Sequence, residues 1–553
     1  MKIFRIIIVA LTCFLFAGDI SAQITRRPRP PEWKNLVCGG RFMDRFLPMP
    51  DIGRFIDQAW GVKGVRPRYI DNGIEHPKWS FWGGNIIHGE DGKYHLYVCG
   101  WPENSPGGHS YWGKSTVFNA VSDNSFGPFV VRDTIGRGHN PEIFRLKDGR
   151  YVIYVIGGYY ISGNCNGPWE YKHFEFLNRD RKIIEGLSNL TFARREDGSF
   201  IMVCRGGGVW YSQTGISPYN QITEKRIYPD VEGNFEDPVI WRDNVQYNLI
   251  VNDWLGRIAW YERSKDGVRW KIEPGEAYME GIARHEDGSL EDWFKYERIK
   301  VFQDIYGRAT QANFAVIDTL KKLDRENDNH SSKNIVIPLT VGRLLTIMDK
   351  GRLTSRTKKV RVKIHAEPGF NPEHDIDISS LGFGDPEAVN YGRGSRVLKT
   401  ERSGNDLIVT FDGTGLDFPD DEFAAKLLGK TKDGKLLFGY ARLPWIEFIE
   451  PILSPGLPVF AQDEKGCGIN IEVQNFGQVS SKKAGLKIVH IKDQTEIRIA
   501  EGKVPPLQPF EKKIISLKCG NIFEKGTGYI IKVIVNPDKD FPSELTGKVI
   551  PLK

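Results

Sequence analysis

Five polar groups recur in this sequence at intervals of roughly fifty residues, and their types suit gripping a sugar acid and moving protons on it. They are Asn85; His139-Asn140 with Glu142; Asn189; Glu236-Asp237; and Arg298. Imidazole exchanges a proton near neutral pH, which makes His139 the first acid/base candidate. Glu236 and Asp237 offer the carboxylate pair that glycosidic bond hydrolysis uses. Successive strand residues point to opposite faces, so one of these two is expected to face a shared site and the other to pack away. Arg205 has the planar fork that holds a carboxylate through two parallel bonds. His76, His88 and His109 lie in loops around the first group. Asn and Asp at strand ends also bond loop backbone routinely, so the same set fits a structural role. There is no HExxH, P-loop or GxSxG context, and no Cys/His spacing suits zinc, so neither a metal nor a cofactor is expected.

What brings such distant groups together is a repeat. Each group opens a short apolar strand, a tight turn and an alternating aromatic-aliphatic strand, as in WSFWGGNIIHGEDGKYHLYVCGW from Trp79 and GHNPEIFRLKDGRYVIYVIGG from Gly138. Further copies start at Leu187 and Phe235, with a looser one at Glu297. The turns fall at Asp91-Gly92, Asp148-Gly149, Asp197-Gly198, Asp243-Asn244 and Tyr306-Gly307, and Asp-Gly between alternating strands is a strong hairpin signal. Second markers follow in four copies: Gly127-Pro128, Gly167-Pro168, Ser217-Pro218 and Gly267 to Trp270. Four short antiparallel strands per unit predict an all-β chain led by a β-propeller over 31–350. Five blades are recognisable, and Pro31 to His76 leaves room for seven. In a propeller the first strand of each blade lines the central channel, so the polar starts become neighbours.

The repeat stops near Leu353. Alternating strands such as VRVKIHAEPGF and DLIVTFDG predict a β-sandwich over 353–446, and a Pro-rich link leads to an immunoglobulin-like block over 451–553. At the start, Lys2 and Arg5 precede an apolar stretch from Ile6 to Phe16 and small residues at Ser21-Ala22, the pattern of a secretory signal peptide over 1–22. The expected location is secreted or periplasmic, without a lipid anchor, because Cys13 lacks the small-residue setting of one. No later stretch reaches the apolar length of a membrane span. Six cysteines remain, mostly expected as buried thiols, with Cys467 and Cys519 the first pair to test for a bridge. The net charge is +6 from 76 basic and 70 acidic residues with no basic run, which gives no reason to expect nucleic acid. Aromatics at 12%, including 14 Trp, suit stacking on sugar rings. A monomer is expected.

The strings DNGIEHPKWSFWGGN, CGWPENSPGGHSYW, STVFNAVSDNSFGPF, GHNPEIFRLKDGRYVIYV and FEDPVIW resemble the propeller enzymes acting on uronic-acid polysaccharides: ulvan lyases and the related rhamnosidase and rhamnosyl-glucuronate lyase families. The resemblance spans Asp71 to Asp253. It implies that His139 matches the second of two lyase histidines, the first falling at Asn119, and that Arg205 matches an arginine sixteen residues after a tyrosine, here Asn189. His139 and Arg205 then remain as uronate-binding groups, while an amide at 119 supplies no base. The rhamnosidase-type relatives use a histidine on the opposite propeller face, for which His76 is the candidate. The resulting expectation is a hydrolase acting next to a uronic acid, with a polysaccharide lyase or a non-catalytic glycan-binding propeller as alternatives.

Overall fold

The computed structural model describes residues 26–551 apart from 185–186, 217, 355, 464–465, 520–522, 525 and 540–541, so the leader over 1–22 lies outside the described residues. The chain is all-β; among the described residues there are, besides strands, short 3-10 turns and two brief helices, Pro372–Asp375 and Pro386–Asn390.

Each repeat folds as one antiparallel sheet in chain order. The first runs Trp79–His88, Tyr94–Pro102, Thr116–Ser122, Val130–Arg137, and the second Glu142–Arg145, Tyr151–Val155, Gly158–Ser162, Glu170–Lys172. The third is led by Thr191–Arg194 and gains Phe176–Leu177 alongside its last strand; the fourth is led by Phe235–Arg242. The fifth has three strands, Lys295–Gln303, Ala309–Ile317 and Ser332–Pro338. The turn glycines Gly92 and Gly198 sit at φ +76° and +85°, which a side chain would resist.

The sheets stand in a propeller-like ring because each buries one face on the next. Val152, Phe192, Phe200 and Trp210 fill the gap between the second and third, and Val239, Trp241, Trp293 and Phe314 that between the fourth and fifth. Leading strands touch their neighbours, and the fifth touches the first. The ring is clasped by the segment just before the first sheet. Ile74 pairs with Asn334 on the edge of the fifth sheet, the Asn72 side chain bonds both backbone groups of Val336, and Gly73 bonds Phe126 and Phe129 of the first sheet. Residues 31–76, which left room for further repeats, hold one two-residue strand pair and short 3-10 turns.

Two further pairs of facing sheets follow. One core gathers Leu345, Val362, Phe383, Val409 and Leu427, so it reaches back before 353; the other gathers Ile471, Val473, Ile488 and Val533. Cys519 is disulfide-bonded and stands opposite Cys467 in the strand register, whereas Cys38, Cys99, Cys165 and Cys204 are free thiols. No described helix is long and apolar enough to cross a membrane.

Buried charges fix the first of these units to the ring. Arg263 pairs with Glu273 at 2.7 Å and with Glu422 at 3.3 Å, and Arg45 lies 4.2 Å from the Phe438 ring. Removing the Glu422 charge leaves Arg263 its Glu273 partner, so Glu422→Gln is expected to cost about 2 kcal/mol. A drop in thermal midpoint of the variant checks this.

Candidate active site

The leading strands all enter the ring through the same backbone device. Gly83, Asn140, Asn189, Asp237 and Arg298 occupy equivalent places and have φ of 61°, 52°, 48°, 56° and 53°. Asn and Asp tolerate this left-handed region and glycine favours it, but an arginine there must be held by its surroundings. The positive φ breaks the strand alternation. As a result the residue at this place and the one before it both point into the ring, as at Glu236 and Asp237, where the ladder also shifts register. Residues two places on point to the opposite end of the channel, where Asn85, Glu142, Val239 and Lys300 line a separate cavity.

At the near end the paired residues enclose a cavity of about 900 Å³, walled by Trp82, His109, Trp112, His139, Trp254 and Phe294. Its lining has six basic side chains, Arg205, Arg257, Lys295, Arg298, Lys321 and Lys322, and three acidic ones, Glu236, Asp237 and Glu297.

The three carboxylates are treated differently. Asp237 is saturated: Arg298 donates Nη1 at 2.9 Å and its backbone N at 3.2 Å, and Asn189 donates Nδ2 at 3.0 Å. Asn189 is oriented by accepting from Asn140 Nδ2 at 2.8 Å, and Asn189 Nδ2 also donates to Glu236 at 3.1 Å. Glu236 has in addition Arg205 Nε at 3.5 Å. Burial, reinforced by the Asp237 charge, raises its pKa to about 7. Glu297 is 2% exposed, but against that burial Lys321 and Lys295 hold its pKa down to about 2. Lys295 lies at 3.1 Å and Lys321 is in direct contact.

His139 is buried against Trp112, ring centroids 4.9 Å apart, with Nδ1 2.9 Å from Ser115 Oγ. Because Ser115 donates to the Trp112 carbonyl at 2.6 Å, Nδ1 is the donor in the first bond and Nε2 is left as an acceptor. Burial, then Arg298 and Lys321, push the imidazole pKa well below its ordinary value, so the ring is neutral at pH 7. His109 is likewise neutral, wedged edge-on against Trp82 and Trp101 with Nδ1 3.2 Å from Ser332 Oγ.

The structure therefore brings seven of the ten sequence candidates into one cavity: His139, Asp237, Glu236, His109, Asn189, Arg205 and Arg298. Three it does not. Asn85 lies at the other end, its amide spent on both backbone groups of Ile143 at 2.8 and 2.9 Å; the residue equivalent to His139 in that repeat is Trp82. Asn119 is buried within the first sheet against His95 Nδ1 at 3.1 Å. His76 is exposed, accepts from the backbone of Lys78 at 3.1 Å and lines neither cavity. The expectation that Glu236 and Asp237 face opposite ways also fails, because the left-handed Asp237 turns both inward. Sequence reasoning missed Glu297, Lys295 and Lys321. Glu297 was legible as the residue before Arg298, the place His139 and Glu236 hold in their repeats. Among the described residues no cluster of three or more His, Cys, Asp or Glu is arranged to hold a metal ion.

No family model matches this chain, and no curated protein matches it. Among solved structures it is similar to one titled glycoside hydrolase, at 12% identity over 82% of this chain and 97% of that one, with a TM-score of 0.36. It is also similar to a family-43 glycoside hydrolase from Bacillus licheniformis, at 9% identity over 86% and 90% of the two chains, with a TM-score of 0.31. A sialidase aligns at 10% identity over 96% of this chain and 49% of that one, with a TM-score of 0.30. At these values the functional reading rests on the cavity itself.

Proposed function

We propose that this cavity is the active site of an exported carbohydrate-active enzyme that hydrolyses a glycosidic bond beside a uronic acid in a polysaccharide. The observation that carries the reading is two carboxylates set differently in one cavity: Glu236, buried beside the Asp237 carboxylate and raised to about 7, and Glu297, gripped by Lys295 at 3.1 Å and by Lys321 and lowered to about 2. Carboxyl groups driven apart in this way take the acid and base roles. Glu236 gives its proton to the leaving oxygen as the C–O bond breaks. Water bonds to the anomeric carbon and its proton passes to Glu297. Asp237, tied to Arg298, positions Glu236 through Asn189, and neutral His139 accepts a hydrogen bond from a sugar hydroxyl. The surplus of basic over acidic lining residues favours an acidic sugar, with Arg205 among the groups for its carboxylate. We read the ring as five blades and the C-terminal sheet pairs as an immunoglobulin-like pair that spaces the ring or binds glycan.

The test is incubation of the protein with uronic-acid polysaccharides and rhamnosyl-glucuronate oligosaccharides. Released reducing sugar and ultraviolet absorbance from unsaturated uronates are followed together. Sugar without absorbance is expected. Absorbance means elimination and sinks the hydrolytic reading; binding without either product means a non-catalytic glycan receptor. Trp112 is 45% exposed at the cavity wall and offers a face for sugar stacking. Trp112→Ala is expected to raise KM about tenfold with kcat nearly kept, read from initial rates.

A further inference from the structure

The cavity's basic side chains are not equivalent. Arg298 has a 1% exposed side chain and is locked on Asp237; Lys295 is 5% exposed and bonds Glu297 and the carbonyl of Trp254. Lys321 differs in two respects. It rises from the connection over 318–331 and not from a leading strand, and its side chain is 30% exposed; like the Lys295 ammonium, 4.6 Å from the Trp254 ring centroid, its ammonium lies against a tryptophan, 4.8 Å from the Trp82 ring centroid. It is also the second ammonium on a carboxylate that already has one, so Glu297 faces two positive charges with one negative. The excess charge lies on the more exposed partner, at the cavity wall.

We propose that Lys321 receives the carboxylate of the acidic substrate and, in turning to it, unloads Glu297 for proton transfer. With substrate bound, two ammonium groups face two carboxylates and the local charge balances. A carboxylate that has lost one of its cations is a stronger base, so an acidic substrate primes the residue that activates its own water. An uncharged sugar leaves Lys321 on Glu297. The receptor half is a claim about binding alone; the unloading half rests on the hydrolytic reading above.

The experiment pairs calorimetric titration of the whole protein with glucuronate and glucose against rates on a uronate oligosaccharide and its carboxyl-reduced counterpart. The proteins are wild type, Lys321→Gln and Lys321→Arg, each checked for an unchanged thermal midpoint. Wild type is expected to prefer glucuronate, and Lys321→Gln to bind it about tenfold to a hundredfold more weakly. Lys321→Gln, whose Glu297 is unloaded from the start, is expected to lose roughly a hundredfold in kcat/KM on the acidic substrate through KM and to gain several-fold in kcat on the reduced one, with Lys321→Arg retaining most of the preference. Equal glucuronate affinity in wild type and Lys321→Gln, or none in wild type, overturns the receptor. No gain on the reduced substrate, or a loss there, overturns the unloading. Lysine-dependent binding without turnover upholds the receptor and removes the hydrolytic reading.

Discussion

Glu236→Gln is expected to lower kcat roughly a thousandfold while changing KM only a few-fold, because the amide keeps the shape and loses the transferable proton. The pH profile gives the sharper signature. Burial first, and Asp237 second, raise the Glu236 pKa from 4.5 to about 7. The acid form is the active one, so kcat is expected to fall as pH rises through about 7 in the wild type and to lose that limb in the variant. The same shift has a thermodynamic side with a fixed sign. Between 4.5 and about 7 the folded protein holds a proton that the unfolded chain has released, so this group's contribution to stability is complete below 4.5 and lost as pH climbs to 7. Glu297 runs the other way: its contribution is present above the ordinary carboxylate range and lost as pH falls toward 2. An alkaline limb that survives in Glu236→Gln assigns the proton to another group.

Arg298→Met is expected to destabilise the protein by about 3–5 kcal/mol, the scale for stripping one partner from a buried ion pair. Asp237 is 2% exposed and would keep only Asn189 Nδ2 and the backbone N of residue 298. The damage is expected to be mostly the cost of a stranded charge, not the worth of the pair. The double variant Asp237→Asn, Arg298→Met should therefore recover more than half of the loss. Thermal midpoints of the two single variants and the double one decide this; a double variant no better than Arg298→Met means that arginine packing, and not charge, holds the ring centre.

The parts of this fold that are local in sequence were legible there. Hairpins at Asp91-Gly92 or Asp148-Gly149 declare themselves because the turn needs its glycine and the flanking strands alternate. What escaped was register at the channel. In four repeats the left-handed place is polar and visible, as at Asn140 or Asp237, but in the first it is Gly83, and the polar residue nearest to it in the sequence pattern is Asn85, two places on. The alternation rule failed at Glu236-Asp237 for the same backbone reason. Lys321 was illegible because a long connection carries it to the cavity, and nothing in a connection's spacing says where its side chains will arrive. Asn119 and His76 came from the resemblance to the lyase and rhamnosidase groups, and neither reaches the cavity.

The run of left-handed residues around the channel has a consequence for engineering. The second to fifth sheets each present two adjacent side chains to the cavity from a place fixed by backbone geometry, and the first presents Trp82 beside Gly83, while most of the hydrophobic packing lies elsewhere on the sheets. Chemistry and scaffold are thereby written in separate parts of the sequence. A combinatorial library confined to His139, Ser188, Glu236 and Glu297 would recast the cavity's reactivity while leaving Trp82, which packs with Trp101, Ala315 and Ile317 between the first and fifth sheets, in place. The neighbouring left-handed positions would be left to Gly, Asn and Asp, with arginine only where a carboxylate waits to hold it.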